Sequence, residues 1–239
     1  MPLQQVLSHS LVYSSAHQTD EAALQELLTG IGTAPFADPR RQEFIQGCRR
    51  KSWDKNVIAL GNASGFLEPL AATDHHLTTN ALFNLLDHFP DKQFDPANIA
   101  SYNALIADEF ERIRDFLILH YSLSRRADTP FWQDAGKSDL PAALEQRIAQ
   151  YRATGRVIMQ RPEIFGDLDW FWIFEGSGVV PRDYDPLVDS VDFEQVKRLM
   201  AALTQKVAAD SAAAPSHDSF FAQANSKLTR KPPAAQTVG

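Results

Sequence analysis

The sequence predicts an α+β fold dominated by helix, and three observations carry that prediction. Short apolar runs and loosely alternating stretches are confined to about the first 61 residues, where Gly and Pro punctuate them. From Thr73 onward apolar residues recur at helical spacing. Hydrophobic residues make up 44% and charged residues 22% of the 239, the balance of a globular chain with a sizeable core. Residues 1–72 are therefore expected to hold short strands, one helix and a ligand loop. Residues 73–210 are expected to form a helical region, and residues 211–239 a tail.

Residues 3–15 alternate loosely and read as one or two strands, with Ser8-His9-Ser10 as an exposed turn. Thr19–Leu28 is a helix: Thr19 caps it, acids fill its first turn, and Gly30 and Gly32 end it. Glu43–Trp53 reads as a strand that turns through Asp54-Lys55 into a second strand over 56–60, an antiparallel hairpin. Thr73–Phe89 is a helix with Leu77, Ala81, Leu85 and Phe89 at near-fourfold spacing, stopped by Pro90-Asp91. Asp95 caps the next and longest helix, with Pro96 in its first turn. Ile99, Tyr102, Ile106, Ile113, Phe116, Leu117 and His120 share its apolar stripe, with His120 as a satisfied core histidine. Asp108–Arg112 and Glu111–Arg114 are placed to pair on the opposite face. Asp128–Trp132 is a turn leading to aromatics. Leu140–Ala153, Leu168–Glu175 and Phe193–Ala209 are further helices. His217–Asn225 reads as a short terminal helix, and Lys231 to Gly239 as disordered.

The stretch with chemical content is Asn56–Leu77, NVIALGNASGFLEPLAATDHHL. Val57–Leu60 reads as a buried strand, Gly61–Leu70 as a small-residue loop, and Thr73 as the N-cap of a helix with Asp74 in its first turn. A strand, a glycine-bearing loop and a helix start expose backbone N–H groups at a positive helix end, where an anion or the polar edge of a cofactor can sit. An ordinary strand-to-helix turn has the same outline.

Composition narrows the class. A net charge of −7 argues against a nucleic-acid surface. The single Cys48 forms no internal disulfide and has no metal-ligand partner at a recognisable spacing. No apolar run approaches the roughly 18 residues of a membrane helix. Residues 1–16 lack the basic start and apolar core of a signal peptide, so a cytoplasmic location is expected.

The sequence NVIALGNASGFLEPLAATDHHL resembles the flavin-dependent tryptophan halogenase family, whose members carry a version of NxxALGxxSGFLEPLESTxxHL. Pro2-Leu3-Gln4, Val12–Ser15, Arg49–Lys51, Glu109–Phe116, His120-Tyr121, Asp128–Trp132 and Gly178–Pro181 fit the same family in order. The likeness runs over about residues 2 to 225. It implies the C-terminal, substrate-side part of a flavoprotein-monooxygenase-like halogenase fold. No GxGxxG turn occurs in the 239 residues, so a fragment, a split gene or a misplaced start is expected. In the family, reduced FAD, supplied by a separate flavin reductase, and oxygen serve to oxidise a halide ion. Hypohalous acid then reaches a separate aromatic pocket, where a lysine and a glutamate activate it.

The resemblance implies roles residue by residue. Asn62, Gly65, Phe66 and His75 fall where the family lines the flavin; Thr73 and Asp74 fall where it binds halide. The glutamate of PLEST is replaced by Ala71, and the following Ser by Ala72. Glu68 belongs to FLEP and has a structural role, with a weak claim to replace the missing carboxylate. Neither Lys51 nor Lys55 lies in the motif of the family lysine. Asp74 would place a negative charge beside the halide, and two unit charges 4–5 Å apart repel by roughly 1 to 4 kcal/mol. Arg49, Arg50 and Lys51 suit a flavin phosphate and a solvated strand end equally. Gly155–Leu168 is short and has no paired Tyr, which argues against free tryptophan and leaves open a simpler indole, a phenol or a carrier-bound aromatic. Two alternatives stand beside this reading. One is a non-catalytic remnant or partner subunit working with a separate flavin-binding chain. The other is a flavin-dependent aromatic hydroxylase, although Asn62 follows Gly61 where those enzymes carry Asp.

Overall fold

A computed structural model describes residues 8–159 and 163–228, with backbone alone at 224–228. Ser10–Asp185 forms one compact unit; the described residues outside it, 8–9 and 186–228, fall in a second.

The first helix of the larger unit, α1 (Asp20–Ile31), starts and stops on its caps. Thr19 Oγ1 accepts from the Ala22 N–H at 3.2 Å, and Gly32 closes the helix at φ 71°. Before it, residues 8–13 are irregular and Ser14–His17 forms a turn, so the expected strand is absent from 8–15; residues 3–7 of that expectation lie outside the described residues.

Four two-residue strands follow: β1 (Gly47–Cys48), β2 (Trp53–Asp54), β3 (Val57–Ile58) and β4 (Gly65–Phe66). The expected hairpin forms, with Trp53 opposite Ile58 in antiparallel β2–β3. It is much shorter than the patterning suggests. Residues 43–46 have no strand partner, and Gly47-Cys48 pairs instead with β4, Cys48 opposite Gly65. Val57, expected in a buried strand, is exposed. A ladder exists only where a neighbour supplies hydrogen bonds, and here a helix supplies some of them. Asn103 brackets Trp53, its Oδ1 accepting from the Trp53 N–H and its Nδ2 donating to the Trp53 carbonyl, both at 2.8 Å.

The rest of the unit is helical: α2 (Thr73–Asp87), α3 (Pro96–Ser122), α4 (Pro130–Ala135), α5 (Ala142–Thr154) and α6 (Asp167–Ser177). Asp95 caps α3 through the Ala97 N–H at 2.7 Å, and Gly155 ends α5 at φ 65°. α3 has 27 residues, about 40 Å of helix, and its stripe joins two cores. Tyr102, Ile106, Phe110, Ile113 and Leu117 pack with Trp53, Leu77 and Ala81. Phe116 and Leu119 pack with Leu144, Ile148, Tyr151, Trp170 and Phe174. His120 is satisfied as expected, its Nδ1 donating to the Phe116 carbonyl at 2.8 Å. The expected ion pairs form only in part. Arg112 meets Asp108 and, at 3.2 Å, Glu109, whereas Arg114 turns to its neighbour Asp115 at 2.7 Å rather than to Glu111. Phe89, which the spacing put on the buried stripe of α2, lies beyond its end and is exposed.

In the smaller unit, α7 (Phe193–Ala213) is capped by Asp192, which accepts from the Gln195 N–H at 2.8 Å, and α8 (His217–Leu228) follows. Both run past their expected ends. Lys231 to Gly239 lies outside the described residues. Among the described residues, no helix is long and apolar enough to cross a membrane.

Candidate functional site

The loop between β3 and α2 is held in place by contacts that sequence order does not reveal. Gly61 turns the chain at φ 57°, and a Cβ there would meet Thr78 Oγ1 on α2 at 3.3 Å. A 3₁₀ turn over Gly61–Ala63 leads into β4. At Gly65 a Cβ would lie 2.7 Å from Cys48 Cα and the Gly47 carbonyl, so only glycine permits this approach of β4 to β1. Ser52 and Ser64 hydroxyls meet at 2.6 Å in the interior. Arg49 Nε donates to the Ala63 carbonyl at 2.6 Å, and the Arg49 N–H to Ser64 at 2.8 Å. The Arg49 guanidinium thus braces the loop through its Nε.

Glu68 is buried, and its partners come from distant elements. Tyr121 on α3 donates its hydroxyl to the two carboxylate oxygens at 2.8 and 2.9 Å, and Gln46 Nε2 donates at 3.1 Å. Burial pushes the Glu68 carboxyl above the ordinary glutamate range; the Tyr121 bond, the neighbouring His120 and Gln46 oppose that rise. Burial and the bond to Glu68 push the Tyr121 hydroxyl up in turn. Tyr121 stacks on Trp132 at 5.8 Å and meets Phe131 edge-on at 6.0 Å. Arg126 lies 4.6 Å over Trp132. Glu68 is therefore an anchor tying the loop to α3 and to Gln46 just before β1. No pattern in the sequence joins Glu68 to Tyr121, 53 residues away.

After Pro69 a 3₁₀ turn, Leu70–Ala72, carries the chain into α2, and Ala71 (φ 61°, ψ 8°) and Ala72 (φ 50°, ψ 42°) are both left-handed. A non-glycine residue pays roughly 1–2 kcal/mol for that conformation. Here the expected cap is corrected. The N-cap is Ala72, without a side-chain cap bond, and Thr73 is the first helical residue, its side chain buried. Two left-handed residues in a row move the helix start by one position, and nothing in Ala-Ala advertises that conformation. The first turn of α2 consequently lacks the usual side-chain acceptor for its N–H groups. Asn62, Ala71 and His75 are exposed, Asp74 is partly exposed, and Gly65 and Phe66 are partly buried in β4, with Phe66 edge-on to Phe44 at 5.3 Å. One turn further, His76 Nε2 meets Glu109 on α3 at 2.7 Å, a link that the sequence reading missed. Among the described residues, no cluster of three or more His, Cys, Asp or Glu is arranged to hold a metal.

The site thus has the form of a ligand loop braced from behind, with an uncapped helix start in front. Comparison with known proteins gives that form a family. The tryptophan halogenase family model matches residues 1–193, and the chain belongs to that family. The tryptophan 6-halogenase ThaL of Streptomyces albogriseolus is 33% identical over 193 residues, 72% of this chain and 35% of the relative. The tryptophan 7-halogenase RebH of Lentzea aerocolonigenes is 36% identical over 143 residues, 59% of this chain and 27% of the relative. Among solved structures, BrvH, a flavin-dependent halogenase from Brevundimonas sp. BAL3, superposes with a TM-score of 0.82 at 39% identity, covering 88% of this chain and 43% of its own. The chain spans less than half the length of these relatives.

Proposed function

We propose that this chain is the substrate-side part of a flavin-dependent halogenase-like oxidoreductase acting on an indole-type aromatic, with its acid–base partner lost at Ala71. The observation that carries the reading is the uncapped helix start at Ala72-Thr73, inside a loop that lies within the span matched by the family model. Exposed Asn62 and His75 and the N–H groups at the start of α2, which no side chain caps, suit the polar edge of a flavin ring and a halide ion. They do not suit a pyrophosphate, for which the 239 residues contain no GxGxxG turn. Reduced FAD, when bound, would supply together with molecular oxygen the two-electron oxidation that turns halide into an electrophilic halogen source. The Thr73 region holds the halide through backbone N–H groups, while the Asp74 charge weakens that hold. Glu68 does not replace the missing carboxylate, because Tyr121 and Gln46 already occupy it.

The observation favouring the non-catalytic reading is Ala71 itself. A positioned acid or base contributes about 10²–10⁴ in rate. The test joins this chain behind the upstream part of BrvH and supplies a flavin reductase, bromide and indole. Ala71→Glu with Asp74→Gly is expected to raise bromoindole formation at least about 10²-fold over the unsubstituted chimaera. Equal rates would overturn the assignment of Ala71 and Asp74 as the defect.

A further inference from the structure

Two residues of α3 grip the chain on either side of the left-handed turn at Ala71-Ala72. Before the turn, Tyr121 donates to Glu68. After it, His76 Nε2 meets Glu109 Oε1 at 2.7 Å, and Glu109 Oε2 accepts from Arg112 at 3.2 Å. A carboxylate oxygen only accepts, so Nε2 of His76 carries the proton and donates. Glu109 is buried and Arg112, which also meets Asp108, lies against its charge; the His76 side chain is 31% exposed. Glu68 and His76 are eight residues apart in sequence, and their partners stand twelve residues apart on one continuous helix, about 18 Å along its axis.

The turn between the two grips has little support of its own. Ala72 offers no side-chain cap bond, and both alanines hold a conformation that non-glycine residues rarely adopt. Such backbone persists only where its surroundings over-determine it. Leu77 and Ala81 seat α2 in the first core, but apolar packing has no direction. The bond to Glu109 has one, because it fixes which way the first turn of α2 faces. We infer that His76, oriented by Glu109, is a positioning residue: it sets the rotation of the first turn of α2, and with it where the N–H groups of residues 73–75 point. The inference rests on the reading of that turn as the halide-facing part of the loop, but its first readout is the conformation of the turn itself.

The experiment uses this chain as it stands with two variants. His76→Phe keeps a ring and loses the bond; His76→Gln keeps a donor for Glu109. Backbone carbon shifts at Ala71 and Ala72 report whether the two stay left-handed, and amide exchange at residues 76–79 reports the first closed turn of α2. In His76→Phe both alanines should lose their left-handed shifts, and exchange at 76–79 should quicken at least about tenfold while that of residues 113–119 is unchanged. His76→Gln should retain both properties. Bromide added to the unsubstituted chain should move the amide signals of residues 73–75, and His76→Phe should weaken that binding at least about twofold. Unchanged alanine shifts in His76→Phe, acceleration spread equally over α2 and α3, or failure of His76→Gln to restore the turn would each overturn the role of His76. Absence of any bromide response in the unsubstituted chain would instead overturn the halide reading of the loop. His76→Ala is read in the same way and keeps the test decisive if the phenylalanine variant does not fold.

Discussion

Tyr121→Phe removes one hydroxyl and keeps the ring, so it isolates the bond that anchors Glu68. The phenylalanine still fills the space against Phe131 and Trp132, and the loss falls on the buried carboxylate, which keeps the bond from Gln46. A hydrogen bond to a charged group contributes about 1.5–3 kcal/mol. For a unit of this size each kcal/mol moves the melting midpoint by roughly 2–4 °C, so a fall of about 3–12 °C is expected at pH 7.5. The pH dependence gives the sharper check. Burial already raises the Glu68 carboxyl, and the Tyr121 bond is the largest influence holding it down. Without that bond the carboxyl rises further, so the folded variant takes up its proton at higher pH than the folded parent. Proton uptake by the folded state stabilises the variant more than the parent as pH falls. The difference between the two is therefore full at neutral pH and shrinks as pH drops towards the ordinary glutamate range of about 4.3. Thermal denaturation followed by circular dichroism at pH 7.5 and pH 5 measures both numbers. An unchanged midpoint at pH 7.5, or a loss of the same size at pH 5, would refute the reasoning. Glu68→Gln combined with Tyr121→Phe should cost less than the two single changes added together.

Two further predictions concern the loop. Gly65→Ala puts a methyl 2.7 Å from the Cys48 backbone, so β1 and β4 must separate; a stability loss of about 1–3 kcal/mol and faster proteolytic cleavage between residues 47 and 66 are expected. Titrating FAD into the isolated chain, followed by fluorescence quenching, should give binding weaker than micromolar, since the pyrophosphate-binding turn is absent from the sequence; micromolar or tighter affinity would contradict that.

Helices were legible wherever a local device marks them. Thr19, Gly32, Asp95, Pro96 and Gly155 act on backbone groups within four residues of themselves, so their effect is written beside them. Strands were poorly legible. Pairing is a property of two segments, and Val57–Leu60 looks like a buried strand until its neighbour turns out to be a two-residue ladder braced by Asn103. The position of the candidate loop followed from its glycines and from family likeness. Its bracing did not, because Glu68 finds Gln46 and Tyr121 across 22 and 53 residues. The start of α2 was misread by one residue because left-handed alanines carry no signature.

Those two alanines bear on how this protein changes over time. The energetic penalty of a left-handed residue arises from its Cβ, which Ala, Ser and Glu all possess. The conformation at 71 and 72 is therefore already paid for, and replacing either alanine with a larger side chain asks nothing more of the backbone. Both side chains stand on the exposed rim of the turn, where there is room. Side-chain chemistry at this rim is thus separable from architecture: a polar or charged group can be exchanged at 71 or 72 while the scaffold beneath stays fixed.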